Sequence, residues 1–100
     1  QVIAMGGIPG KNEFVMQVTA DILGMPIKVV RSSQATALGA AMFAAVAAGI
    51  FPDISAAQQA MNSGYSKEYQ PRPEFKGHYD RLYAQYHTVG EALADVLRRL

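Results

Sequence analysis

Apolar positions open the chain in two short runs, the second interrupted only by Lys28, with a helical period between them. Val2-Ile3-Ala4-Met5 does not alternate with polar residues, which predicts a strand covered on both faces. From Glu13 to Leu23 the residues Phe14, Val18 and Ile22 recur at every fourth position, with Val15 beside them. That spacing predicts a helix with this face turned inward. Asn12 is a good N-cap, since its side-chain oxygen can accept from one of the first free N–H groups. Glu13 places negative charge in the first turn, where the helix dipole favours it. Gly24 suits the left-handed residue after the helix, and Pro26 prevents continuation. Ile27-Lys28-Val29-Val30 is a β-branched run that predicts a second strand.

Arg31-Ser32-Ser33 is a polar turn, and a second helix is expected from Gln34 to Ala48, ending at Gly49. Its many alanines allow close approach to a sheet or another helix. The run is shorter than the roughly 20 residues a membrane span needs, so a buried helix is the reading. Ile50 to Asp53 is a connection. Ser55-Ala56-Ala57-Gln58 fits a capping box, which predicts a short third helix to Asn62. Residues 62–76 carry Gly64, Pro71, Pro73 and several charges, and read as an irregular surface segment. A last helix is expected from Phe75 to Arg99. Its apolar stripe contains Tyr79, Leu82, Tyr83, Tyr86, Val89, Leu93, Val96, Leu97 and Leu100. The expectation is that this stripe docks on its own domain, through Tyr79, Leu82, Tyr86, Val89 and Leu93, rather than forming a coiled coil. No internal repeat or low-complexity tract is present.

Composition narrows the function classes. The chain has 100 residues, half of them hydrophobic, and a net charge of +1. That is room for one small domain or part of a larger one. The nine Lys and Arg form no basic stripe, which argues against a nucleic-acid partner. The absence of Cys excludes disulfides and thiol chemistry and leaves the redox compartment open. No signal peptide is visible, and a start at Gln1 inside a strand suggests a fragment of a longer chain. His78 and His87 lie roughly 90° apart on one helix and more than two turns apart. With no Cys partner or acidic cluster near, surface histidines are the reading and no metal ligand is assigned. No carboxylate pair, Ser–His pair or activated Lys stands out, so no catalytic residue is assigned either.

The stretch with candidate chemistry is Met5-Gly6-Gly7-Ile8-Pro9-Gly10-Lys11-Asn12. Bare glycines after a strand let a backbone or flat ligand come close. A helix N-terminus follows at once, an arrangement that nucleotide-binding α/β proteins use. A plain strand-to-helix turn has the same sequence signature. Two familiar phosphate signatures are excluded. A P-loop would need Gly where Met5 stands and Ser or Thr where Asn12 stands, and G-x-G-x-x-G is absent because Gly6 and Gly7 are adjacent. Gln17 and Asp21, four apart on one helical face, could orient neighbouring loops or simply be solvated.

Several blocks together resemble the FGGY family of carbohydrate kinases. They are Gly6-Gly7 followed by Gln17, then Ala20-Asp21-Ile22-Leu23-Gly24-Met25-Pro26. Next come Gln34-Ala35-Thr36-Ala37-Leu38-Gly39-Ala40-Ala41 and Ala47-Ala48-Gly49-Ile50-Phe51. The resemblance is strong over Val2 to Phe51, and the tail from Tyr79 to Tyr86 follows one branch of the family. It implies an α/β chain, the C-terminal part of an actin-like (ribonuclease H-like) ATPase domain with a helical C-terminal extension. The adenosine-motif region would be 1–51 and the extension 52–100. It implies ATP or ADP and a sugar as ligands, Mg held mainly by parts outside this chain, and a cytoplasmic enzyme with no membrane or nucleic-acid partner. Self-association is left open. Gly6 and Gly7 would belong to the adenosine motif, with Gly7 and Ile8 against adenine and ribose and Asn12 at the adenine edge. Gln17 and Asp21 would support the turn. The family's phosphate loops and its catalytic Asp match nothing here, so the chain by itself should be inactive. The rival readings are another sugar kinase of the family, an ATPase of the same fold acting as chaperone or filament, and a non-catalytic helical interaction module.

Overall fold

The computed structural model describes residues 1–100. Its elements are β1 (Val2–Ala4), α1 (Glu13–Leu23), β2 (Ile27–Val30), α2 (Ala35–Ala47), α3 (Ile54–Met61), β3 (Tyr65–Tyr69) and α4 (Pro73–Leu97). The α/β class, both early strands and all four helices follow the sequence expectation, with boundaries shifted by a residue or two at several ends.

The sheet has three strands in the order β1-β2-β3. β1 runs parallel to β2, with Val2 opposite Ile27 and Ala4 opposite Val29. Parallel neighbours need a crossover, and α1 supplies it. β3 runs antiparallel to β2, with Ile27 opposite Tyr69 and an irregularity at Val29/Val30. This strand overturns the expectation that 62–76 is irregular. Its sequence, Tyr-Ser-Lys-Glu-Tyr, is exposed except for Tyr69, so it lacks the apolar signal of a buried strand. The unpaired edge of β2 recruits it.

Alternation along the strands puts Val2, Ala4, Ile27, Val29 and Tyr69 on one face. Met16 and Ala20 of α1 cover that face and complete the core. Here a second expectation fails. Phe14 is 76% exposed and Ile22 43%, so the broad apolar face of α1 is not the one against the sheet. The narrow Met16–Ala20 strip is, because the small Ala20 lets the helix backbone come close. The opposite sheet face carries Ile3, Val30 and Tyr65. It opens on a groove of about 550 Å³, walled by α2 and α3. β1 is therefore covered on one face only, and α2 buries only Met42 and Ala45.

α3 starts at Asp53, whose side chain accepts from the Ala56 N–H at 2.8 Å. The cap is thus two residues earlier than the Ser55 capping box predicted. α4 begins with Pro73 in its first turn, where a missing N–H costs nothing. It buries no residue. Of the expected docking face only Tyr79 is half-buried, while Leu82, Tyr86, Val89 and Leu93 are 45–76% exposed, so beyond its start the stripe does not dock within this chain. Contact with the body is confined to the start of α4, where Gly24 meets Lys76. No helix is long and apolar enough to cross a membrane.

Candidate functional site

The glycine turn sits at the carboxyl end of β1 and leads into the N-terminus of α1. Gly6 has φ +106°, a backbone state that a side chain would strain. Lys11 and Asn12 donate their N–H groups to the Ile8 carbonyl at 3.0 and 2.9 Å, which closes the turn. Asn12 then caps the helix: its Oδ1 accepts from the Val15 N–H at 3.1 Å. Turn and helix are thereby one hydrogen-bonded unit.

The turn is open. A Cβ at Gly6, Gly7 or Gly10 would have nothing within 4 Å. Met5 and Ile8 are 58% and 63% exposed on either side of the two glycines. Bare backbone between exposed apolar side chains suits the face of a flat aromatic ligand. Asn12 Oδ1 is occupied by the cap and its amide nitrogen makes no hydrogen bond within the chain, so its two N–H donors remain at the rim. A nucleoside fits these residues. No three His, Cys, Asp or Glu side chains gather in the chain. His78 and His87 are both exposed, and His87 has Glu91 at 3.6 Å and the Tyr83 ring beside it.

Gln17 and Asp21 lie elsewhere. Neither side chain bonds to residues 6–12. Asp21 is fully buried and accepts from the Arg72 backbone N–H at 2.8 Å, from Arg72 Nε at 2.9 Å and from Arg72 Nη2 at 2.5 Å. Gln17 Nε2 donates to Asp21 Oδ1 at 3.0 Å and to the Gln70 carbonyl at 2.8 Å. The Arg72 hydrogen bonds lower the Asp21 pKa from 3.8 to about 2, more than burial raises it. Sequence inspection missed Arg72. It stands between Pro71 and Pro73 in a segment that reads as loop, and no local pattern pairs it with a residue 51 positions away. The only hint is a helix Asp on the same face as Gln17.

At the other end of α1, Glu13 pairs with Lys67 of β3. That hydrogen bond raises the Lys67 pKa. Both side chains are largely in water, so the pair adds little to stability.

A strand end, an open glycine turn and a capped helix recur together in nucleotide-binding α/β proteins. Residues 1–48 match the FGGY family of carbohydrate kinases, C-terminal domain. At full length the chain is similar to ribulokinases. The ribulokinase of Bacillus licheniformis is 46% identical over 107 residues, covering 100% of this chain and 19% of that protein. The Vibrio parahaemolyticus ribulokinase is 44% identical, covering 96% of this chain and 17% of that one. The ligand-bound xylulose kinase of Lactobacillus acidophilus superposes with a TM-score of 0.76 at 33% identity, over 92% of this chain and 18% of that structure. The chain thus spans about a fifth of the length of the relatives it matches.

Proposed function

We infer that this chain is the adenosine-binding end of a cytoplasmic, ATP-dependent sugar kinase, and that the sugar is L-ribulose. The observation that carries the reading is the open glycine turn joined to a capped helix, in a chain whose residues 1–48 match the FGGY family. Similarity to ribulokinases along the whole chain favours L-ribulose over the other sugars of the family.

In this reading Gly6 and Gly7 leave room for the base, and Gly7 and Ile8 lie against adenine and ribose. The free amide of Asn12 donates to the adenine edge while its oxygen keeps the cap. Gln17 and Asp21 act from behind by holding α1. Phosphoryl transfer needs a general base for the sugar hydroxyl and charge neutralisation around the phosphates. Neither task is assigned to a residue of this chain, and this reading gives both to other parts of the enzyme. The isolated chain should therefore transfer no phosphate from ATP to L-ribulose, and measurable transfer by the purified chain would refute that division of labour.

The direct test is Gly7→Val in the full-length kinase. A Cβ at Gly7 meets no protein atom, so folding should be intact and the branched side chain should occupy the space of the base. ATP titration should show binding weakened by roughly tenfold or more, equivalent to about 1.4 kcal/mol, with the Michaelis constant for L-ribulose nearly unchanged. Normal ATP affinity would remove the assignment.

A further inference from the structure

We propose that Arg72 is a positioning residue for nucleotide binding, which fixes the roll of α1, and with it the glycine turn, by clamping Asp21. The proposal rests on the reading of the turn as the ATP site.

The geometry starts with how little else holds α1. Met16 and Ala20 form a single narrow apolar strip on the sheet. A helix resting on one strip can roll about its long axis. Gln17 and Asp21 form a second strip, about 100° further round, and both are tied to the segment 70–72. Arg72 gives Asp21 three of its four hydrogen bonds, two of them from the guanidinium. The fork is itself held, with Pro71 and Pro73 restricting the backbone on each side and the Phe75 ring centre 4.4 Å from the guanidinium carbon. Close packing reinforces the junction, since a Cβ at Gly24 would lie 2.6 Å from Lys76 Cε.

The N-terminal end of α1 has no comparable anchor. Its tie to β3 is the solvent-exposed Glu13–Lys67 pair, which is weak for that reason. Roll of the helix reaches the turn because Asn12 Oδ1 holds Val15 and the Ile8 carbonyl holds Lys11 and Asn12. Two fixed strips define the orientation of a rigid rod and one strip does not. The clamp therefore sets where the bare backbone of Gly6 and Gly7 lies relative to the end of β1.

The test uses the full-length kinase with three variants. Arg72→Lys keeps the charge and loses the planar fork. The double variant Asp21→Asn with Arg72→Gln removes both charges, so no buried carboxylate is left unpaired and the readout survives if the single variant fails to fold. Gly7→Val reports the ATP site directly. Arg72→Lys and the double variant should each weaken ATP binding by about tenfold, the scale of a small misplacement. The Michaelis constant for L-ribulose should stay within about twofold. A lowered melting temperature with unchanged ATP affinity in the folded variants would make the clamp purely structural and overturn the proposal. If those variants bind ATP normally while Gly7→Val does not, the positioning role fails and the ATP site stands. If Gly7→Val also binds ATP normally, both fail.

Discussion

Two helices of this chain show opposite relations between apolar content and burial. α4 is 25 residues long with an apolar stripe along most of it, and it buries nothing. α1 has 11 residues, turns Phe14 and Ile22 to solvent, and still buries Met16, Ala20 and Asp21. The difference lies in what each helix has beside it. α1 is the crossover of a parallel strand pair, so connectivity lays it on the sheet. α4 leaves the body after its first turns and meets no further surface of this chain. An apolar stripe therefore states that a face can be covered, and only a neighbour of the right shape covers it. The open outline agrees: the radius of gyration is 18.9 Å, against about 13 Å for a compact chain of this length.

Unequal variants test the contrast most directly. Ile27 is 1% exposed beneath α1, and Ile27→Ala should cost about 2–5 kcal/mol in urea unfolding. If Leu93→Ala on α4 cost as much, the contrast would be gone. Acid should expose the polar half of the α1 contact. The Asp21 pKa is depressed in the fold, to about 2 from 3.8. Its contribution is present above pH 4 and is lost as pH falls from about 4 towards 2. Wild type should take up most of one extra proton on unfolding at about pH 3, less at either end of that window, and Asp21→Asn should not. An equal pH slope for the two proteins would show that Asp21 is not clamped as described.

Smaller effects belong to the periphery. Asp53→Ala should cost about 1 kcal/mol through loss of the α3 cap, whereas Ser55→Ala should cost little. The reverse ranking would restore the Ser55 capping box. Smallest of all, Leu93→Ala and Val89→Ala should change the stability of the 100-residue chain by about 0.5 kcal/mol or less. The same substitutions made in a full-length kinase sharpen the comparison. A cost there of about 2–5 kcal/mol would mean that the rest of the protein covers this stripe.

The sequence by itself determined the local features. Asn12 and Gly24 bracket α1 because caps answer to backbone groups only a few residues away. The β-branched run marks β2, the adjacent glycines mark the open turn, and the spaced blocks from Gly6 to Phe51 carry the resemblance to the FGGY kinases. Tertiary structure decided whatever depends on a distant partner. β3 carries a polar sequence and is a strand because the edge of β2 offers it hydrogen bonds. Asp21 is buried because Arg72, 51 residues on, supplies the charge and donors that make its burial tolerable. The choice of the narrow Met16–Ala20 strip over the broader Phe14–Ile22 face follows the same logic. Periodicity counts apolar residues, whereas packing selects the face whose backbone can come closest to the sheet.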